Sequence, residues 1–270
     1  MTLLMGVVNV TPDSFSDAGL WLDPDAAIAH GLQLRAEGAD ILDVGGESTR
    51  PGATRPLVEE ELGRVIPVIT GLVAQGCVVS VDTMRAEVAA AALSAGASIV
   101  NDVSGGLADP EILGVVAGSR ARFIAMHWRA HSATMQQHAD YVDVVGEVIA
   151  ELSDRVTAAV TAGIPPERLA IDPGLGFAKQ PHHNWELLRH LDAFEELGLP
   201  LLVGASRKSF LGALLADHNG PRPVDQRLYA DVAIATMLAL RGVWAIRVHD
   251  VRAAADALAV VRRWQEEPHD

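Results

Sequence analysis

The chain has 270 residues, of which 49% are hydrophobic, so it is long enough to form one large core. Its 35 acidic and 21 basic side chains give a formal net charge of −14, which argues against nonspecific binding to nucleic acid or to an anionic membrane. The single cysteine, Cys77, excludes a disulfide within the chain, and no apolar stretch reaches the roughly 18 residues that a membrane span needs. The N-terminus also lacks the features of a secretory signal, so we expect a cytoplasmic protein. Its acidic balance favours a small-molecule partner.

Short apolar runs alternate with longer amphipathic stretches, a pattern that indicates repeated β-α units and a parallel sheet. The predicted strands are 3–8, 41–44, 78–81, 98–100, 122–126, 169–171, 201–204 and 245–248. The predicted helices are 24–37, 58–74, 86–94, 110–116, 141–162, 184–197, 229–241 and 251–266. Eight such units in about 250 residues fit a (β/α)8 TIM barrel better than an open doubly wound sheet. Since no linker interrupts the series, we expect residues 1–270 to form one domain.

Polar or charged residues lie at the end of every predicted strand. They are Asn9, Asp43 with Glu47, Asp82, Asn101 with Asp102, His127, Asp172, Ser206 with Arg207 and Lys208, and Arg247 with His249. In a barrel of this kind the C-terminal strand ends converge on one face, where the site is built. Helix capping is the alternative explanation for any single Asp, Asn or Ser. Capping does not require the Lys, Arg and His that follow the last two strands.

The cationic residues predict an anionic ligand. Ser206, Lys208, Arg247 and His249 would lie at neighbouring strand ends, where barrels of this kind commonly hold phosphate. A positive charge at the start of a helix opposes the helix dipole, so we expect an anion near Lys208. Arg207 is interpreted as a solvated helix start. The predicted ligand is a phosphate or pyrophosphate ester.

Acidic and amide side chains are expected on the other side of the barrel mouth. Asp82, Asn101 and Asp172 supply oxygen acceptors and an amide donor, which suit a flat heterocycle rich in N–H groups. A divalent metal held by Asp82, Asp102 and Asp172 is an alternative, although magnesium usually keeps its waters and shares substrate phosphates. His127 could act as a catalytic base, but a hydrogen-bonded wall residue is the preferred interpretation.

Two loops after the first two strands have the composition of active-site lids. They are "TPDSFSDAG" and "GGESTRPGA", and their glycines permit close approach to a ligand. The alternative is a pair of ordinary surface turns. Phe15, among polar residues in the first loop, favours a lid, because an exposed phenyl ring is unfavourable unless it covers something.

Seven motifs together resemble the dihydropteroate synthase family. In chain order they are "GVVNVTPDSFSDAG", "DVGGESTRPGA", "SVDT", "NDVSGG", "IDPGLGFAK", "GASRKSFLG" and "RVHDV". The resemblance covers nearly the whole chain, and its motifs fall at successive strand ends. It implies condensation of 6-hydroxymethyl-7,8-dihydropterin pyrophosphate with 4-aminobenzoate, which gives 7,8-dihydropteroate and pyrophosphate in folate biosynthesis. It also implies a homodimer and a sulfonamide target, because sulfonamides compete for the 4-aminobenzoate pocket in sensitive members of the family.

The resemblance assigns roles to individual residues. The pterin would be bound by Asp82, Asn101, Asp172 and Lys208, and the pyrophosphate by Arg247, His249 and a Mg²⁺ ion ligated by Asn9. The residues with catalytic roles would be Asp82, Lys208, Arg247 and His249. The 4-aminobenzoate site and the lids would include Phe15, Thr49, Arg50, Pro51, Phe177 and Ser206.

Two other functions are compatible with a pterin-binding barrel. A methyltransferase that moves a methyl group from a methylated tetrahydrofolate to a corrinoid protein would need no pyrophosphate clamp, so Lys208, Arg247 and His249 argue against it. A non-catalytic pterin-binding paralogue is expected to lose its lid residues, which are intact here. One departure from the family lies in "DQRLYADVAIATML", where Leu228 and Tyr229 replace a frequent run of small residues. We expect this departure to affect helix packing or assembly rather than chemistry.

Overall fold

The protein forms a closed barrel of parallel strands. The computed structural model describes residues 1–11, 23–48 and 55–266. Its strands are β1 (Leu3–Asn9), β2 (Ile41–Gly45), β3 (Val79–Asp82), β4 (Ile99–Asp102), β5 (Arg122–Met126), β6 (Leu169–Asp172), β7 (Leu202–Val203) and β8 (Ala245–Val248). They pair in the order β6-β5-β4-β3-β2-β1-β8-β7. A parallel bridge between Ile171 and Leu201 joins β6 to β7, with the Ile171 N–H donating to the Pro200 carbonyl at 2.9 Å. The predicted eight-stranded barrel is confirmed.

Helices surround the strands. They are α1 (Pro24–Ala36), α2 (Val58–Ala74), α3 (Ala86–Ser94), α4 (Glu111–Ala117), α5 (Val144–Thr161), α6 (Pro181–Arg189), α7 (Ser209–Leu214), α8 (Leu228–Leu240) and α9 (Val251–Gln265). The predicted helix 184–197 is instead α6 followed by a 3₁₀ turn over Leu191–Leu197, and the short α7 was not predicted. Within the three described ranges, no helix combines the length and the apolar character that crossing a bilayer would require.

Alternation of side chains along the strands separates a barrel interior from an outer core. An inner apolar layer takes one residue from each of seven strands: Met5, Ile41, Ile99, Ile124, Ala170, Leu202 and Ala245. Residues of the other parity, such as Leu42, Val100 and Val203, belong to the larger core between strands and helices. Because side chains alternate with a period of two, the next inward positions are Val7, Asp43, Asn101, Met126, Asp172, Gly204 and Arg247, of which four are polar or charged. Strand periodicity therefore places a polar layer above an apolar floor.

Candidate active site at the C-terminal mouth of the barrel

Arg247 lies at the centre of the polar layer. From β8 its Nε donates to Asp43 Oδ2 at 2.6 Å, and its Nη2 donates to Asp82 Oδ2 at 2.8 Å. The Asn101 amide donates to the same oxygen of Asp43 at 3.0 Å. The expectation that cationic and acidic groups stand on separate sides of the mouth is therefore wrong, because one hydrogen-bonded network joins β8 to β2, β3 and β4.

Burial changes the acidity of Asp82. Removal from water raises the pKa of the Asp82 carboxyl to about 7, and the positive charge of Arg247 opposes that rise. The Asp82 carboxyl is therefore a weaker acid than an ordinary aspartate, even though it pairs with Arg247. A strongly perturbed group in a cleft is typical of functional sites.

Asp43 was among the polar strand-end residues found in the sequence, but it was assigned no role in binding or catalysis. Its side chain is fully buried, and its Oδ1 has no hydrogen-bond partner among the described residues. Buried carboxylate oxygens are rarely left without a partner, so this atom is a candidate contact for a ligand. The parity of the strand could have found it, because Asp43 follows Ile41 on the inward face of β2.

Lys208 and Asp172 occupy the β6–β7 side of the mouth. Lys208 is the residue before α7, and its Nζ donates to the Leu175 carbonyl and lies 5.0 Å from the centre of the Phe177 ring. Burial lowers the pKa of Lys208 to about 8, while the nearby Asp172 charge opposes that fall. Burial also raises the pKa of Asp172, whose Oδ1 accepts from the Gly174 N–H at 2.7 Å. The structure thus brings Lys208 near Asp172 and Phe177, three residues that the family resemblance assigns to the substrate sites.

His127 is a wall residue and not an exposed base. Burial and the positive charge of Lys179 lower the pKa of His127 to about 4, so its ring is neutral near pH 7. Its Nδ1 lies 2.9 Å from Lys179 Nζ, and its Nε2 lies 2.9 Å from Glu151 Oε2. A neutral ring that accepts from Lys179 and donates to Glu151 satisfies both contacts. Lys179 also donates to the Phe177 carbonyl at 3.1 Å, so this cluster anchors the segment that carries Phe177.

Ser206 and His249 meet at the ends of β7 and β8, as predicted. The His249 backbone N–H donates to Ser206 Oγ at 3.3 Å, and His249 Nδ1 lies 3.1 Å from the same oxygen. Ser206 Oγ donates to Asp231 Oδ2 at 3.1 Å. Asp231 belongs to α8, in the segment whose departure from the family pattern was expected to spare the chemistry. The contact is made by Asp231 and not by the departing residues Leu228 and Tyr229, so that expectation stays a prediction.

Apolar side chains complete one wall of the mouth. Met84, Val103 and Met126 form a buried cluster against which Phe177 packs. Met84 lies just after β3, Val103 lies just after β4, and Met126 is the last residue of β5. A flat ring could lie against these side chains while its polar edge meets the carboxylates. No pattern in the sequence separates these three residues from ordinary core residues.

The carboxylates do not form the metal site considered as an alternative. Asp82 pairs with Arg247, while Asp102 accepts from the Ser104 N–H at 2.8 Å and from the Gly106 N–H at 2.7 Å. In the described part of the chain, no group of three His, Cys, Asp or Glu residues could hold a metal ion. Asn9 ends β1 beside Gly45 of β2 and offers a single carboxamide oxygen. One protein ligand suits magnesium that is bound mainly by substrate oxygens and water.

Four predicted residues cannot be placed in the site. Phe15, Thr49, Arg50 and Pro51 lie outside the described residues, in the ranges 12–22 and 49–54. Their assignment to the lids stays a prediction.

Comparison with known proteins identifies close relatives over the whole barrel. The model of the pterin binding enzyme family matches residues 5–249. The dihydropteroate synthase of Mycobacterium leprae (strain TN) is 55% identical over 263 residues, which cover 97% of this chain and 93% of the relative. The Yersinia pestis dihydropteroate synthase, solved with a sulfonamide drug, superposes with a TM-score of 0.92 at 38% identity, covering 98% of this chain and 94% of that one. The Xanthomonas albilineans dihydropteroate synthase, solved in complex with 7,8-dihydropteroate, gives a TM-score of 0.86 at 46% identity, covering 99% and 95%.

Proposed function

Because the chain belongs to the pterin-binding enzyme family, among its dihydropteroate synthases, we propose that its barrel mouth joins a pterin to 4-aminobenzoate. The substrates are 6-hydroxymethyl-7,8-dihydropterin pyrophosphate and 4-aminobenzoate, and the products are 7,8-dihydropteroate and pyrophosphate. The observation that carries this proposal is the Arg247 network, which holds Asp82 and Asn101 next to the cation that would bind a leaving pyrophosphate.

The pterin ring is assigned to the acidic part of the network. Asp82, Asn101 and Asp172 offer acceptors and an amide donor to the N–H and carbonyl groups of the ring, and Lys208 adds a donor near Asp172. The apolar wall of Met84, Val103 and Met126 would lie against a ring face. This placement is supported by the burial of all three polar residues, since a buried polar group needs a partner.

The pyrophosphate is assigned to the cationic part. Bonds to Asp43 and Asp82 use two of the five N–H groups of Arg247, and His249 lies at the end of the same strand. Asn9 Oδ1 and pyrophosphate oxygens would hold a Mg²⁺ ion, which would supply positive charge to the leaving group when bound. Arg247, His249 and Lys208 neutralise the charge that develops as pyrophosphate departs.

The order of bond changes follows from this charge placement. The bond from the pterin methylene carbon to oxygen breaks, and both electrons leave with pyrophosphate. The resulting pterin cation is supported by the Asp82 carboxylate, and the neutral amine of 4-aminobenzoate then attacks the methylene carbon and loses a proton. We assign no residue as nucleophile or as strong base, because an arylamine is already nucleophilic. We assign Phe177 and Ser206 to the 4-aminobenzoate site, and the predicted lids with Phe15, Thr49, Arg50 and Pro51 would exclude water.

A direct assay tests this function. The wild-type protein is expected to form 7,8-dihydropteroate from the two substrates and Mg²⁺, and chelation of the metal is expected to stop the reaction. Lys208→Ala is expected to lower kcat/KM by about 100-fold, because a donor near the pterin and its leaving group is lost. Arg189→Ala, which removes an exposed cation paired with Glu186 on α6, is the control and should match wild type. If the purified wild-type protein makes no product, the proposed function is wrong.

We further propose that the chain forms a homodimer through α8 and α9. Large apolar side chains are exposed on these two adjacent helices, namely Tyr229, Met237 and Leu240 on α8 and Val260 and Trp264 on α9. Exposed apolar faces of this kind mark contact surfaces, and the family resemblance favours a second copy as the occupant. Light scattering is expected to give twice the mass of one chain, and Met237→Glu is expected to shift the protein to a monomer. A monomeric wild type at micromolar concentration would contradict this assembly.

A further inference from the structure

The backbone between two predicted site residues has an unusual conformation. Among the described residues other than glycine, only Ala178 and Arg207 have a positive φ, and that of Arg207 is 62°. A residue with a Cβ is disfavoured in this left-handed region, so the surrounding structure must hold it there. Arg207 lies directly between Ser206 and Lys208, so the contacts that hold its conformation also affect the positions of these two site residues.

The N-terminal end of α8 supports both polar groups of the Arg207 backbone. The Arg207 N–H donates to the two oxygens of Asp231 at 3.1 Å each. Arg227, the residue before α8, donates from Nη1 to the Arg207 carbonyl at 2.8 Å and to the Lys208 carbonyl at 3.3 Å. Arg227 is itself buried, and its Nε donates to the Arg222 carbonyl at 2.9 Å. A carboxylate and a guanidinium therefore fix the turn from its two ends.

The left-handed conformation of Arg207 directs the side chains of Ser206 and Lys208 to different parts of the mouth. On one side, Ser206 Oγ contacts Asp231 and the His249 ring. On the other, Lys208 extends to the Leu175 carbonyl and the Phe177 ring. If residue 207 relaxed to a right-handed or extended conformation, Ser206 and Lys208 could not keep both sets of contacts.

We propose that Asp231 and Arg227 are positioning residues for the reaction: they hold Arg207 in its left-handed conformation and so place Lys208 and the Ser206–His249 pair at the pterin pyrophosphate. This inference rests on the proposed function and adds two residues outside the strand ends. Asp231 acts on the substrate through the turn and has no direct part in the bond changes.

A double-variant experiment tests the conformational role. Asp231→Ala is expected to lower kcat/KM for the pterin pyrophosphate by about tenfold, because a charge-assisted hydrogen bond to the strained turn is lost. Glycine adopts the left-handed conformation without penalty, so Arg207→Gly in the Asp231→Ala background is expected to recover at least about threefold of that loss. Arg207→Gly alone measures the effect of removing the guanidinium, which pairs with Asp250 at 3.4 Å.

Controls separate positioning from loss of the fold. Asp225→Ala removes an exposed carboxylate from the same segment and is expected to match wild type. Melting temperatures show whether each variant is folded. Asp231→Asn keeps the side-chain shape and one acceptor, is expected to lose less activity, and provides the same comparison with Arg207→Gly if Asp231→Ala does not fold.

The outcomes distinguish this inference from the proposed function. If the wild type is active, two results would overturn the positioning role alone. One is an Asp231→Ala variant as active as the wild type, and the other is no recovery of activity when Arg207→Gly is added to Asp231→Ala. If the wild type makes no 7,8-dihydropteroate, the proposed function fails. Calorimetric titration with magnesium pyrophosphate still compares the variants in that case: weaker binding by Asp231→Ala, restored by Arg207→Gly, supports the positioning role, and equal binding overturns it.

Discussion

Replacing Arg247 with Ala is expected to lower kcat/KM for the pterin pyrophosphate by about 10²–10³-fold, the loss typical of removing a preorganised donor from developing negative charge. The same change leaves Asp43 and Asp82 without their cation in the barrel interior, where both side chains are buried. Breaking a buried pair by removing one partner typically destabilises a protein by about 3–5 kcal/mol. Steady-state kinetics and denaturant unfolding of the same variant measure the two effects.

Arg247→Lys is the matched control for charge. Lysine keeps the positive charge but presents a single ammonium group, so it cannot donate to Asp43 and Asp82 from two nitrogens of a rigid fork. We expect it to recover part of the stability and little of the activity. Wild-type kinetics in Arg247→Ala would show that the network is structural and that pyrophosphate binds elsewhere.

Among substitutions that add a single methyl group near the site, Gly174→Ala is expected to give the largest loss of stability. Gly174 has φ +67°, and a Cβ built on it would lie 2.3 Å from the His127 carbonyl oxygen. The clash is with backbone, which cannot move aside as a side-chain end could. Together with the left-handed strain, we expect a cost of about 2–5 kcal/mol in the free energy of unfolding.

Gly198→Ala isolates the clash from the strain. Gly198 has φ +62°, yet nothing lies within 4 Å of its hypothetical Cβ, so only the conformational cost of about 1 kcal/mol remains. Gly174→Ala is also expected to raise KM for the pterin, because the Gly174 N–H that bonds Asp172 would be displaced. Equal losses of stability in the two variants would contradict this account of the β6–α6 turn.

Much of the fold is visible in the sequence because it follows from local periodicity. The apolar runs marked all eight strands to within a few residues, and parity along each strand separates Ile41, Asp43 and Gly45 from Leu42 and Val44. The break between α6 and the 3₁₀ turn after it was not predicted, because apolar residues recur at helical spacing throughout 184–197. The single domain over residues 1–270 and the cytoplasmic location stay predictions.

Long-range partners were the part of the site that sequence could not supply. Asp43 and Arg247 are 204 residues apart, and no local pattern relates them. Asp231 looks like an ordinary residue in the first turn of a helix, and only packing of α8 against the β7–α7 turn brings it to Ser206. Met126 likewise resembles an ordinary core residue, and only the tertiary structure packs it with Met84, Val103 and Phe177.

The sequence by itself determined the barrel, the family and the set of strand-end residues. The period and order of the strands and the motifs at their ends can be read along the chain, and in a parallel barrel these ends converge on one face. Only the tertiary structure decided which of these residues pair with one another. Closure of the barrel brings β8 within reach of β2 and β3, and exclusion of water there makes charge pairing strong enough to link Arg247 to Asp43 and Asp82.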